Sequence, residues 1–168
     1  MVRTSRGNRS EPDGDTESDT GPTADRGATQ DPTLDVWWQL SRLSGYVSQI
    51  LERKLMRSHG IGLTDFIALS TIRRAAPKAL QMQELADEMG VNQSTLSRVA
   101  TRLERSELVE RGHSEHDRRC IVIRLTDAGH RELAHYTETF SRELHTAFEM
   151  AALSPALSPL LTRILPER

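Results

Sequence analysis

The chain has 168 residues, enough for one domain with a sizeable core once a partner covers its terminal helices. Its formal net charge of −2 decides little by itself, because where the charges sit matters more than their sum. A single cysteine excludes an internal disulfide and a Cys-rich zinc site, and no stretch is long and apolar enough to span a membrane.

Residues 1–33 are rich in Gly, Ser, Thr, Asp and Pro and hold almost no large apolar groups. Such a segment buries too little surface to offset its ordering entropy, so a disordered acidic tail is expected. Seven acids (Glu11, Asp13, Asp15, Glu17, Asp19, Asp25, Asp31) face four arginines (Arg3, Arg6, Arg9, Arg26) there. Arg3, Arg6 and Arg9 can brush the phosphates of a polyanion, but a solvated tail is the simpler reading. There is no apolar signal region, and a soluble, cytoplasmic protein is expected.

From residue 34 the pattern changes. Leu34, Trp37, Trp38, Leu40, Leu43, Val47, Ile50, Leu51 and Leu55 recur at helical spacing, and the ring-bearing start is too apolar to stay wet. Further on, Met82 to Val99 reads as a helix-turn-helix. Ala86 sits where two helices must cross closely, and Gly90 follows where a left-handed backbone costs least. Asn92 is placed to cap the second helix, and Leu96 and Val99 face back onto Leu85. The remaining face carries Gln93, Ser94, Thr95, Ser97, Arg98, Thr101 and Arg102, short polar groups and long donors suited to a major groove. Taken alone, that face also fits an ordinary solvated helix.

The stretch that follows adds a second constraint. Val109 and Arg111, then Ile121, Ile123 and Leu125, alternate with polar or small neighbours as half-buried strands do. Gly112 is expected to open a loop that runs from His113 to Arg119 and is too polar for a core. Helix-turn-helix followed by such a hairpin describes a winged helix, whose usual work is reading DNA. Arginines Arg118 and Arg119 at the tip can straddle a phosphate backbone and place a guanidinium in the minor groove. Asp117 would repel DNA unless it holds Arg119 by a charge-assisted hydrogen bond. From Asn92 to Thr126 seven arginines outnumber five acids, a modest surplus that alone decides nothing.

Thr126 is placed to cap a long helix with Leu133, Tyr136, Phe140, Leu144, Ala147, Phe148 and Ala151 on one stripe. Ser154-Pro155 looks like the start of a last helix carrying Leu157, Leu160, Leu161, Ile164 and Leu165, unless Pro159 shifts the start to Ser158. The first helix and the last two either interlock with a second chain or close a monomeric core.

Other chemistries find little support. His113 and His116 with Glu115 and Asp117 sit on a wing tip that makes a poor metal cage, and His130 and His135 share no helix face. No Gly-rich phosphate loop, H-E-x-x-H or G-x-S-x-G occurs, so no enzyme, metal or cofactor is expected.

The chain resembles the MarR (multiple antibiotic resistance regulator) family of bacterial transcriptional regulators over roughly residues 34–165. The resemblance rests on Gly60-Ile61-Gly62-Leu63-Thr64, the helical pair from Leu85-Ala86 to Arg102, Asp117-Arg118-Arg119 and Leu125-Thr126-Asp127-Ala128-Gly129. It implies a mainly α fold with a small β-hairpin wing, that is, a winged helix-turn-helix domain with N- and C-terminal dimerisation helices (34–58 and 127–165) around a DNA-binding lobe (64–126). It also implies a homodimer, usually a repressor. The recognition helix maps onto Asn92 to Ser106, and the family's Asp-x-Arg wing motif onto Asp117 and Arg119.

Two recognition helices about 34 Å apart would require a near-palindromic operator on double-stranded DNA. Relatives bind small effectors, often aromatic or phenolic acids, between the dimerisation helices and the DNA-reading lobe. Trp38, Tyr46, His59 and Phe66 are the candidate lining groups, each of which also fits simple core. Cys120 falls away from the first helix, where oxidant-sensing relatives carry their reactive thiol, which argues against redox sensing. The alternative function is a winged-helix scaffold for protein–protein contacts, which would have no need of Arg98, Arg102, Arg118 and Arg119 on one surface.

Overall fold

A computed structural model describes residues 31–114 and 119–164. The expectation for the acidic tail falls almost wholly on residues outside this range, as do Glu115, His116, Asp117 and Arg118. The described elements are α1 (Pro32–His59), α2 (Leu63–Ala75), β1 (Leu80–Gln81), α3 (Met82–Met89), α4 (Gln93–Arg105), β2 (Val109–His113), β3 (Ile121–Leu125), α5 (Asp127–Ala152) and α6 (Ser158–Ile164). No helix among the described residues is long and apolar enough to cross a membrane.

Helix α1 begins at Pro32, two residues earlier than the tail boundary read from composition, because proline's fixed φ and missing N–H suit a first helical position. Its turn into α2 uses Gly60 at φ 67°, whose N–H reaches the Met56 carbonyl at 3.0 Å. α1 runs antiparallel along α5. Leu43 and Val47 share a core with Ala147 and Ala151, Lys54 pairs with Glu143 at 3.3 Å, and His59 Nε2 lies 2.8 Å from Thr139 Oγ1. Leu157, just before α6, and Leu160 and Leu161 on it close this core. The last helix starts at Ser158, not at Ser154-Pro155. The residues from Ser154 to Leu157 form turns instead, with the Leu157 and Ser158 N–H groups both donating to the Ser154 carbonyl.

A second, larger core joins the end of α1, α2, α3, α4, the sheet and the first half of α5 around Leu55, Leu69, Leu85, Leu96, Val99, Ile123 and Leu133. The sheet has strand order β1-β3-β2, all antiparallel, with Val109 opposite Leu125 and His113 opposite Ile121. Gly112 and His113 therefore belong to β2 and do not open the loop, since cross-strand pairing with Val122 and Ile121 holds them extended. β1, two residues long, pairs Leu80 with Ile123 and Gln81 with Val122. The alternation expected for β3 also changes at its start: Ile121 is exposed while Val122 is buried. Val122 lies between Gln81 and Gly112 of the two flanking strands, beside a cleft that Ala79 also lines.

Two glycines are required for different reasons. Gly90 ends α3 at φ 64°, ψ 30°, and a Cβ there would meet nothing within 4 Å, so the demand is conformational. Gly129, in the first turn of α5, would place a Cβ 2.0 Å from the Leu108 carbonyl oxygen, so the demand is steric. That close approach is tied by Thr126, whose N–H donates to Leu108 at 3.1 Å and whose hydroxyl donates to the Glu107 carbonyl at 2.7 Å. The same hydroxyl oxygen accepts from Gly129 N–H at 2.9 Å and caps α5. The Leu125 to Gly129 run thus locks α5 to the turn after α4.

Candidate nucleic-acid interface

The helix-turn-helix is built from local signals. Glu84 reaches back to the Gln81 N–H at 3.0 Å to start α3. At its end Val91 N–H donates to Ala86 and Gly90 N–H to Asp87, at 3.0 and 3.1 Å, which turns the chain sharply. Asn92 then caps α4, its Oδ1 accepting from Thr95 N–H at 2.8 Å and from the Ser94 hydroxyl at 2.7 Å. Buried Leu96, Val99, Ala100 and Leu103 seat α4 on the core. The opposite face is left to solvent, with Gln93, Ser94, Ser97 and Arg98 exposed and Thr95 and Thr101 half-buried. Thr101 returns its hydroxyl to the Ser97 carbonyl at 2.8 Å.

Arg102 lies differently. Its guanidinium grips Asp65 of α2 in two-pronged fashion, Nε to Oδ2 at 3.2 Å and Nη2 to Oδ1 at 2.5 Å. Asp65 is only 8% exposed, and this hydrogen bond holds the Arg102 guanidinium above its ordinary pKa against a smaller opposing effect of burial. Glu52 of α1 adds to the field on Arg102 and accepts from the Leu63 N–H at the start of α2 at 2.5 Å. Glu52, Asp65 and Arg102 therefore link α1, α2 and α4. Arg102 is a strut before it is a donor to anything else.

Two further arginines of this region are engaged. Arg111 of β2 forms an ion pair with Glu104 of α4, with Nε 3.0 Å from Oε2, which holds the Glu104 carboxyl below the usual carboxylate range. Arg124 reaches its cross-strand neighbour Glu110 at 3.4 Å. Arg98 and Arg105 make no ion pair among the described residues, and Arg119 is exposed. Asp117 and Arg118 lie outside the described residues, so the expected Asp117–Arg119 contact does too.

The four residues singled out for an effector do not converge. Trp37 and Trp38 pack edge to face at 4.6 Å and are 55% and 54% exposed at the start of α1. Tyr46 lines a cleft between α1 and the α5–α6 turn. His59 lies 4.9 Å from the Tyr136 ring, beside a cleft that also contains Asp65 and Arg102. Phe66 is buried and stacked on Phe140 at 4.5 Å, at the edge of an apolar cleft between α2 and α5 that includes Ile67, Leu133 and Arg73.

Sequence reasoning missed Asp65 and Gln83. Asp65 is 37 positions from its partner, so no local pattern announces the pair. Gln83 accepts a hydrogen bond from Gln93 and donates one to Asp87 Oδ1 at 2.9 Å. Its spacing of four from Asp87 was the available signal.

An α3–α4 pair with an exposed polar face on α4, followed by a three-stranded antiparallel sheet, is a winged helix-turn-helix. Residues 59–119 match the model of the MarR family. YpoP of Bacillus subtilis, an uncharacterized HTH-type transcriptional regulator, is 30% identical over 120 residues, covering 68% of this chain and 79% of that protein. The transcriptional repressor MprA of Escherichia coli is 35% identical over 94 residues, 54% of this chain and 53% of MprA, so the match spans about half of that repressor's length. Among solved structures, the MarR family regulator Sco3205 of Streptomyces coelicolor, determined in complex with DNA, superposes with a TM-score of 0.64 at 25% identity, covering 77% of this chain and 81% of that one. The chain belongs to the MarR family.

Proposed function

We propose that the protein is a homodimeric transcriptional regulator, acting as a repressor, that binds a near-palindromic DNA operator through α4 and the wing. The observation that carries this reading is the exposed face of Gln93, Ser94, Ser97 and Arg98 on a helix whose other side is seated on the core. These groups suit base edges, and with Arg98 without an ion pair among the described residues a guanidinium is available for guanine or phosphate. Arg118 and Arg119 are assigned to the backbone and minor groove, with Asp117 positioning Arg119. The relatives named as transcriptional repressors and regulators support the same reading.

The dimer is proposed on the apolar end of α1. Leu34, Trp37, Trp38 and Leu40 lie exposed on one helix, beside the core shared with α5 and α6, and a second copy would cover them. A small aromatic acid is proposed as the effector, with the cleft at Phe66 favoured over the other three positions, because it combines apolar walls with Arg73. It would release DNA only by binding the misaligned dimer more tightly than the aligned one.

The experiment is selection from random duplexes by the purified chain at fixed salt, followed by sequencing. A two-fold symmetric motif with half-sites about one helical turn apart is the expected result. A folded protein that enriches nothing would overturn the DNA-reading function.

A further inference from the structure

On α3, outside the set of expected DNA contacts, Gln83 stands four residues before Asp87 and faces Gln93, the first residue of α4. All three side chains are exposed. Exposed glutamines ordinarily rotate freely, and their two amide ends are nearly the same shape. Here one end of the chain is fixed by chemistry. An ionised carboxylate only accepts, so Asp87 Oδ1, 2.9 Å away, must face the NH2 of Gln83. The Gln83 oxygen then faces Gln93, which must answer with its own NH2. One hydrogen of Gln93 Nε2 is thereby committed, and the second hydrogen and Oε1 are engaged by no other hydrogen bond among the described residues.

One donor beside one acceptor is a specific offer. In the major groove adenine presents the N6 donor and the N7 acceptor, whereas guanine presents two acceptors, thymine an acceptor and a methyl, and cytosine a donor. Only adenine satisfies both groups of Gln93. We propose that Asp87 and Gln83 are positioning residues that hold the Gln93 amide in the orientation that reads adenine, one per half-site. The inference rests on the DNA-reading function proposed above and adds a base identity to it.

The test is random-duplex selection at one salt concentration with the full chain and with Gln93→Ala, Gln83→Met and Asp87→Ala, each checked for folding by circular dichroism. The expected wild-type motif holds an adenine in each half-site, preferred about tenfold or more over other bases. Gln93→Ala should flatten that position alone. Gln83→Met should weaken the preference there by roughly threefold, the scale of one neutral hydrogen bond, and Asp87→Ala should weaken it less. A motif identical in Gln83→Met and wild type would overturn the relay, as would a Gln93-dependent base other than adenine. No motif with the wild-type chain would instead overturn the DNA-reading function itself, so the two failures are distinguishable.

Discussion

The winged lobe and the outer end of the helical pair satisfy their apolar groups differently. In the lobe, Leu69, Leu85, Leu96 and Ile123 are wholly buried within one chain, and the central strand β3 is paired on both edges. At the start of α1, half the surface of Trp37 and Trp38 is open, and the residues that are buried there (Leu43, Val47) lean on a smaller core with α5 and α6. One region closes most of its apolar groups into a core, and the other leaves a pair of tryptophans half exposed. On the proposed reading, the lobe carries fold stability and the apolar end of α1 carries assembly.

The largest expected effect is in the lobe. Leu96→Ala removes a wholly buried side chain from the seat of α4 and should cost about 3–4 kcal/mol, read as a lower denaturation midpoint at every protein concentration. Gly129→Ala should cost about 3 kcal/mol, because a methyl cannot share space with the Leu108 carbonyl. Gly90→Ala, strained but unobstructed, should cost only about 1–2 kcal/mol. Equal losses at the two glycines would contradict the steric account of the α5 lock.

Changing Trp37 and Trp38 together to Ser should act on the other side of the comparison. Self-association should weaken by roughly 30-fold or more, as for aromatic hot spots, while the helical circular dichroism signal of the diluted protein holds. Loss of helix at all concentrations would mean that the tryptophans serve the monomer's fold.

Arg102→Ala should cost roughly 1–2 kcal/mol, a value reduced for the guanidinium's exposure, because it strands the buried Asp65 carboxylate. A double-mutant cycle with Asp65→Asn checks the assignment, and independent, additive losses would speak against a strut. The smallest effect is a pH dependence. Glu104 is held low by the Arg111 hydrogen bond, so its contribution is present above the ordinary glutamate range, near about pH 4.3, and fades as pH falls through the depressed value. Urea unfolding of Glu104→Gln at several acidic pH values should lack that component.

How much was legible follows the reach of each signal. The bounds Asn92 to Ser106 are legible for α4, and these residues are its two caps, because Gly90 and Asn92 act within one turn of where they stand. Thr126 was equally readable as a cap. The two-residue strand β1 was not, since Leu80-Gln81 becomes a strand only by pairing with β3. The start of α6 depended on which of two prolines the chain would use as a first-turn residue, and the turn around Ser154 decided it. The arginine surplus was counted correctly, but Asp65, Glu104 and Glu110 engage three of the seven arginines, and a count has no view of distance.

Sedimentation velocity of the purified chain from nanomolar to tens of micromolar concentration is the most direct test of the contrast between the two regions. A reversible two-chain species, lost on changing Trp37 and Trp38 to Ser, is the predicted result. A wild-type chain that sediments as one folded monomer throughout would contradict it, and with it the assignment of the apolar end of α1 to assembly.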